Sequence, residues 1–221
     1  LVESAKFFGY NGPAYMIANG VDAERFTPGE GMKRSAWNIH SDEVVILLAR
    51  RLVFKNGVIG FAEAVAQMKA KNFRIVIAGD GPDRTPMTEI LEKANCLDRC
   101  LFLGRISNSD MPDIFRSADI SVLPSLAEAT SIAGLEAMAS GLALVGTNVG
   151  GIPAIINNFV TGLIVPPRDP AALAEALDSL CANSETRKAM GQAARARVEA
   201  EFSWPKIAEE TRHIYEACLK N

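Results

Sequence analysis

The chain is 221 residues long and 48% apolar, enough to bury a sizeable core as one large or two small domains. A formal net charge of −3 excludes broad electrostatic attraction to nucleic acid or an anionic membrane, so any phosphate recognition must be local. Cys96, Cys100, Cys181 and Cys218 form no C-x-x-C pair and have only His40 and His213 to join them, so a reduced cytosolic compartment without structural zinc is the simpler account. No apolar run is long enough to span a bilayer, and none reads as a signal peptide.

Taken in chain order, the apolar runs alternate between two periodicities. Short strands are predicted at Ala14–Ala18, Val44–Ala49, Phe73–Ala78, Cys100–Leu103, Ile120–Leu123, Leu142–Gly146 and Leu163–Val165. Between them, Val58, Phe61, Ala62, Val65 and Met68 make one helical stripe, Met87, Ile90, Leu91 and Ala94 a second, and Met111, Ile114, Phe115 and Ala118 a third. Gly150-Gly151 before Ile152-Pro153 suits a tight turn into a short helix. Beyond Pro170 the pattern is wholly helical: 171–181, 185 to about 200, and 204–219. Strands alternating with helices at this spacing predict an α/β fold, a doubly wound parallel Rossmann-like sheet covered on both faces. Trp37 and Trp204 are expected to pack against core or a helix base.

Between Pro124 and Gly141 the chain reads PSLAEATSIAGLEAMASG, placing Glu128 and Glu136 eight residues apart at a strand-to-helix junction. Ile132, Leu135, Met138 and Ala139 recur at helical spacing, so Glu128 falls in the loop and Glu136 about one and a half turns inside the helix. The helix start leaves amides of Thr130, Ser131, Ile132 and Ala133 unpaired at its positive end, an anion site in outline. Arg51, Gly79 to Gly81, Gly104 to Ile106 and Glu128 to Ala133 all follow predicted strands closely. Ligands of open parallel sheets bind beyond the strands' carboxyl ends, so these groups should converge. Gly79-Asp80-Gly81 lacks the third glycine of a dinucleotide fingerprint, position 84 being Arg84.

Six blocks in order resemble a known family, the GT-B fold retaining glycosyltransferases of family 4, also called glycosyl transferases group 1. Glu128, Glu136-Ala137-Met138-Ala139 and Gly141 resemble its E-x7-E motif, with Ala129-Thr130-Ser131 where Gly-Phe-Gly is usual. Asn19-Gly20-Val21-Asp22 with Phe26 and Pro28 resembles an interdomain signature, and Arg51-Leu52 with Gly57 the donor-phosphate loop. Ala78 to Pro82, Phe102-Leu103-Gly104, and Asn148 to Pro153 with Thr161-Gly162-Leu163 and Val165 resemble later blocks. In the phosphate loop the usual lysine slot holds Asn56, and Lys55 lies one residue earlier. Either Lys55 swings in, or Arg51 carries the charge alone.

The resemblance implies a donor-binding domain spanning 1–221, with 203–219 a crossover helix toward an N-terminal acceptor domain outside this chain. Ile207, Ile214 and Cys218 are expected on one face of that helix for the partner surface. The implied reaction transfers a hexose from a nucleoside-diphosphate sugar to an alcohol acceptor, a sugar or lipid, without cofactor or metal. By resemblance, Glu136 accepts from the ribose hydroxyls and Glu128 holds the donor sugar. Arg51 and the amides at Thr130, Ser131 and Ile132 hold the diphosphate, Lys55, Asn56 and Gly81 belong to the same donor site, and Arg105-Ile106 contact the base. The rival readings are a GT-B nucleotide-sugar isomerase and a non-catalytic nucleotide-sugar binding domain. A cytoplasmic location, or a peripheral one at the inner face of the membrane, is expected.

Overall fold

The structure, a computed structural model, describes residues 2–12 and 14–219. Strands β1 (Val44–Ala49), β2 (Phe73–Ala78), β3 (Cys100–Gly104), β4 (Ile120–Leu123), β5 (Ala143–Thr147) and β6 (Gly162–Val165) form one parallel six-stranded sheet. Helices α1 (Val2–Phe7) and α2 (Lys33–Ala36) precede it. The crossovers carry α3 (Val58–Gln67), α4 (Arg84–Lys93), α5 (Met111–Arg116), α6 (Ile132–Ala139) and α7 (Ile152–Ile155). Then come α8 (Pro170–Ala182), α9 (Ser184–Arg197), a π-helical turn at Val198–Phe202 and α10 (Trp204–Leu219).

The strand order β3-β2-β1-β4-β5-β6 explains the buried apolar runs. β1 lies in the centre between β2 and β4, so both its faces need cover. Successive side chains point to opposite faces: Val44, Ile46 and Leu48 join the core under α3, α4 and α8, whereas Val45 and Leu47 join the core under α5, α6 and α9. Phe61 anchors the first layer and Phe115 the second, the latter edge-to-face with Phe26 at 5.8 Å between ring centroids. Each such ring or branched aliphatic contributes about 1.5–3 kcal/mol by leaving water.

Two expectations change. The run Ala14–Ala18 forms no strand: Tyr15, Met16 and Ile17 are exposed, and the segment has no ladder partner among the described residues. Apolar content alone does not make a strand without a neighbour to pair with. On α10, Ile207 is buried in the chain's own fold, Ile214 is partly buried and Cys218 exposed, and the large exposed apolar residues are Trp204, Tyr215 and Leu219. With Ile207, Ala208 and Thr211 they border a shallow depression of about 430 Å³, whose lining includes Ile207 of the expected line but not Ile214 or Cys218. Trp37 is partly buried against core, as its type suggested, but Trp204 is half exposed and lies over Gly20, where an added Cβ would come within 2.5 Å of the indole. No helix among the described residues is long and apolar enough to cross a membrane.

The loop after β1 is held by one glycine. Gly57 sits in the left-handed region at φ 69°, capping a short 3₁₀ turn and starting α3, and a Cβ there would meet the Pro124 carbonyl oxygen at 1.7 Å. The backbone beyond β1 thus packs directly on the backbone beyond β4. Gly57→Ala should destabilise the chain by about 2–4 kcal/mol through combined left-handed strain and clash. Urea unfolding followed by circular dichroism measures this, and an unchanged midpoint would refute the packing described.

Candidate functional site

The chain steps outward from β1 to β2 to β3, then returns to place β4 against the other side of β1. This reversal is a topological switch point, where two crossovers leave in opposite directions and open a crevice beyond the carboxyl ends. A cleft of about 590 Å³ lies there. It is lined by Arg50 and Arg51 after β1, Gly79 and Asp80 after β2, Arg105, Ile106 and Asn108 after β3, and Ala133 and Glu136 of α6. Ala133 and Glu136 are three residues apart, so one helix face presents both. Four of the predicted site residues, Arg51, Arg105, Ile106 and Glu136, therefore share one cavity.

Glu136 stands in an unusual environment for an acid. Burial pushes its carboxyl up to about 7, with the charge of Arg25 pulling the other way. Arg25 lies on the loop that follows the Asp22 turn, where the Asp22 carboxylate accepts from the Glu24 and Arg25 amides at 3.2 and 2.9 Å. Its guanidinium donates to the Asn108 carbonyl on the cleft wall.

Glu128 lies on the other side of the switch, in the loop after β4. Its carboxylate forms an ion pair with Arg50, both side chains being largely buried at 15% and 9% exposure. Arg50 also donates to Ser125 Oγ at 2.6 Å and to Asn56 Oδ1 at 3.4 Å. Arg50 is the cleft-lining residue paired to Glu128 that sequence reading missed. The visible signal was the Arg50-Arg51 doublet at a strand end, together with Asn56 in a slot where lysine is usual. Adjacent residues leaving a strand diverge, so Arg51 stays exposed in the cleft while Arg50 turns toward β4.

The remaining predicted residues build the loops. Asn56 is only 7% exposed, and its amide donates to the Arg51 carbonyl at 2.7 Å. The Lys55 side chain is exposed, while its carbonyl accepts from the Leu126 and Ala127 amides at 2.8 and 3.3 Å, joining the two loops of the switch. Gly81 lets the β2 loop close on the Leu52 carbonyl, which an added Cβ would approach to 2.1 Å. Ser131 is the buried N-cap of α6, its hydroxyl accepting from the Gly134 amide at 3.2 Å; Thr130 is partly buried and Ile132 exposed. Gly150-Gly151 makes the expected turn into α7 and seats the Glu128 loop, the Gly151 amide donating to the Glu128 carbonyl at 3.1 Å.

Residues 31–197 match the family described as glycosyl transferases group 1. The chain belongs to this family. Among relatives, it is 31% identical to a D-inositol 3-phosphate glycosyltransferase of Corynebacterium glutamicum over 219 residues, covering 93% of this chain and 52% of the relative. It spans about half the length of the curated relatives it matches. A sucrose-phosphate synthase structure from Thermosynechococcus elongatus superposes with TM-score 0.87 at 26% identity, over 99% of this chain and 56% of that one. An Anabaena protein determined in complex with UDP-glucose superposes with TM-score 0.85 at 19% identity, over 96% of this chain and 60% of that one, a likeness of fold. The sheet and its flanking helices thus have the Rossmann-like fold seen in GT-B glycosyltransferase structures.

In this group 1 glycosyltransferase chain the raised Glu136 carboxyl has a consequence for stability. The fold favours the protonated form, so the group's contribution is fully present below about pH 4.5 and is lost as pH rises through about 7. Glu136→Gln should match the unaltered chain near pH 4.5 and exceed it above pH 8 by about 1–2 kcal/mol, discounted because the carboxyl borders an open cleft. Urea titrations at a series of pH values report the difference. A gap independent of pH would place Glu136 in water.

Proposed function

We propose that this chain is the donor-binding half of a retaining glycosyltransferase that moves a hexose from a nucleoside-diphosphate sugar to an alcohol. The observation that carries this reading is the single cleft at the β1–β4 switch, which holds Glu136, Arg51, Arg105 and Ile106 together. The UDP-glucose bound by the structurally similar Anabaena protein supports it.

Each group has a role that its chemistry suits. Glu136 accepts hydrogen bonds from the two ribose hydroxyls, an interaction that favours its ionised form. Arg51 offers the diphosphate a guanidinium fork, and the amides at Thr130, Ser131 and Ile132 at the start of α6 add the positive end of a helix. Lys55 is exposed on the loop after β1 and can supplement that charge, while Asn56 and Gly81 shape the loops. The backbone at Arg105-Ile106 meets the base. Glu128 faces the sugar end beyond the diphosphate. Charge building on the leaving diphosphate is then met by groups already in place, with no reorganisation at the moment of reaction. The acceptor belongs to a further domain, so this chain alone binds donor without transferring sugar.

Two outcomes test this. Glu136→Ala should weaken nucleoside diphosphate binding roughly ten- to a hundredfold by calorimetry; an unchanged affinity in a folded variant removes Glu136 from the ribose. For UDP-glucose, whose diphosphate has no group titrating near neutrality, affinity should rise about tenfold from pH 6 to pH 8 as Glu136 ionises, and the rise should vanish in Glu136→Gln. A flat profile in the unaltered chain contradicts the assignment.

A further inference from the structure

The buried ion pair of Arg50 and Glu128 is not explained by stability. Taking both charges out of water costs several kcal/mol, and an apolar pair of similar volume commonly serves a fold as well or better. The pair is also surrounded by further polar groups. Ser125 Oγ receives Arg50 Nη1 at 2.6 Å and lies 3.4 Å from Glu128 Oε2, the oxygen that also takes Arg50 Nη2. Asn56 accepts from the same Nη2 at 3.4 Å while its own amide bonds the Arg51 carbonyl at 2.7 Å. The Ser125 carbonyl is fixed in turn by Thr147 Oγ1 at 2.6 Å. Arg50 and Asn56 come from the connection after β1, Ser125 from the loop after β4 and Thr147 from the end of β5, so three segments of the chain build one network around a single carboxylate.

We propose that Arg50 is the positioning residue for donor-sugar recognition: its guanidinium holds Glu128 by one oxygen, so that the carboxylate presents its other edge to the sugar hydroxyls. This rests on the donor-site reading above. It also accounts for Asn56. A lysine ammonium in that buried slot would face the Arg50 guanidinium at close range, a like-charge contact in low dielectric. Asparagine instead accepts from Arg50 and braces Arg51. The cationic role of the loop has moved to the strand end, where Arg50 serves the sugar and Arg51 the diphosphate. A carboxylate fixed through one oxygen keeps acceptor capacity on the other, and a fixed acceptor discriminates among hydroxyl patterns better than a mobile one.

The test separates sugar recognition from diphosphate recognition. UDP, GDP, UDP-glucose and GDP-mannose are titrated into the chain by calorimetry, and for the base that binds, the ratio of sugar-nucleotide affinity to nucleotide affinity is compared among variants. Arg50→Met should lower that ratio at least about tenfold, as should Glu128→Gln, and the double variant should lose no more than either alone. Arg50→Lys keeps the charge but cannot span Glu128 and Ser125, so it should fall between, losing about three- to fivefold. Should Arg50→Met fail to show the native circular dichroism spectrum, Arg50→Lys decides alone, and an unchanged ratio overturns the proposal. Equal weakening of both ligands would make Arg50 a diphosphate cation, and no change in either ligand would make it scaffold; each overturns the proposal. Binding of all four ligands too weak to measure in the unaltered chain would overturn the donor-site reading and the role of Arg50 with it.

Discussion

The site depends on the parallel pairing of β1 with β4. Ile46 is level with Ile120 and Leu47 with Ser121, so counting forward puts Arg50 beside Pro124, one residue before Ser125. That register carries Arg50 within reach of Glu128, 78 positions along the chain. A slip of one residue would reverse every side chain and send Arg50 to the opposite face. What holds the register is apolar: Ile46, Leu47, Ile120 and Val122 are all fully buried. Loop closure over such a separation is costly in entropy, and burial on both faces of the sheet outweighs it. The Arg50–Glu128 pair therefore sits just beyond two central strands whose paired residues are buried on both faces.

The electrostatics are arranged against the chain's average. With a net charge of −3 the molecule as a whole does not draw anions, yet the cleft gathers Arg50, Arg51 and Arg105 within a few residues of strand ends. Asp80, Glu128 and Glu136 are set among them, which keeps the cleft from being a uniform phosphate trap. Arg50 is committed to Glu128, whereas Arg51 is left exposed to the cleft. Burial pushes the Cys100 and Cys181 thiols up to about 12, so neither forms a thiolate at neutral pH.

Much of the fold was legible because parallel strands buried on both faces read as unbroken apolar runs, as at Val44–Ala49 and Phe73–Ala78. The convergence of Arg51, Arg105, Ile106 and Glu136 was legible for a related reason: each follows a strand, and a doubly wound sheet gathers such residues at one edge. Three features were not. Strand status at Ala14–Ala18 depends on a partner edge, which no local pattern reports. The buried status of Ile207 against the exposure of Tyr215 and Leu219 depends on the direction in which α10 leaves the π-helical turn at Val198–Phe202, which Pro205 marks in position but not in angle. Arg50 was hidden because two adjacent arginines look alike in a sequence, and only the strand's pleat separates one that faces solvent from one that faces an acid.

The two glutamates of the motif are treated differently by the fold, and the difference follows from their elements. Glu128 lies on a loop, which is free to bring a carboxylate against a guanidinium rooted in another strand. Glu136 lies on a helix packed on β4 and β5, which fixes its direction and lets its surroundings strip away water without supplying a close counter-charge; Arg25 acts on it across a gap. The first acid is thereby oriented before any ligand arrives. The second is held in a state that a pair of hydroxyl donors improves, since those donors stabilise the ionised form that burial opposes. A helix-borne acid at the margin of ionisation suits a ligand that brings hydrogen-bond donors, and a loop-borne acid already braced by arginine suits one that must be read by shape. A nucleotide joined to a sugar asks for both.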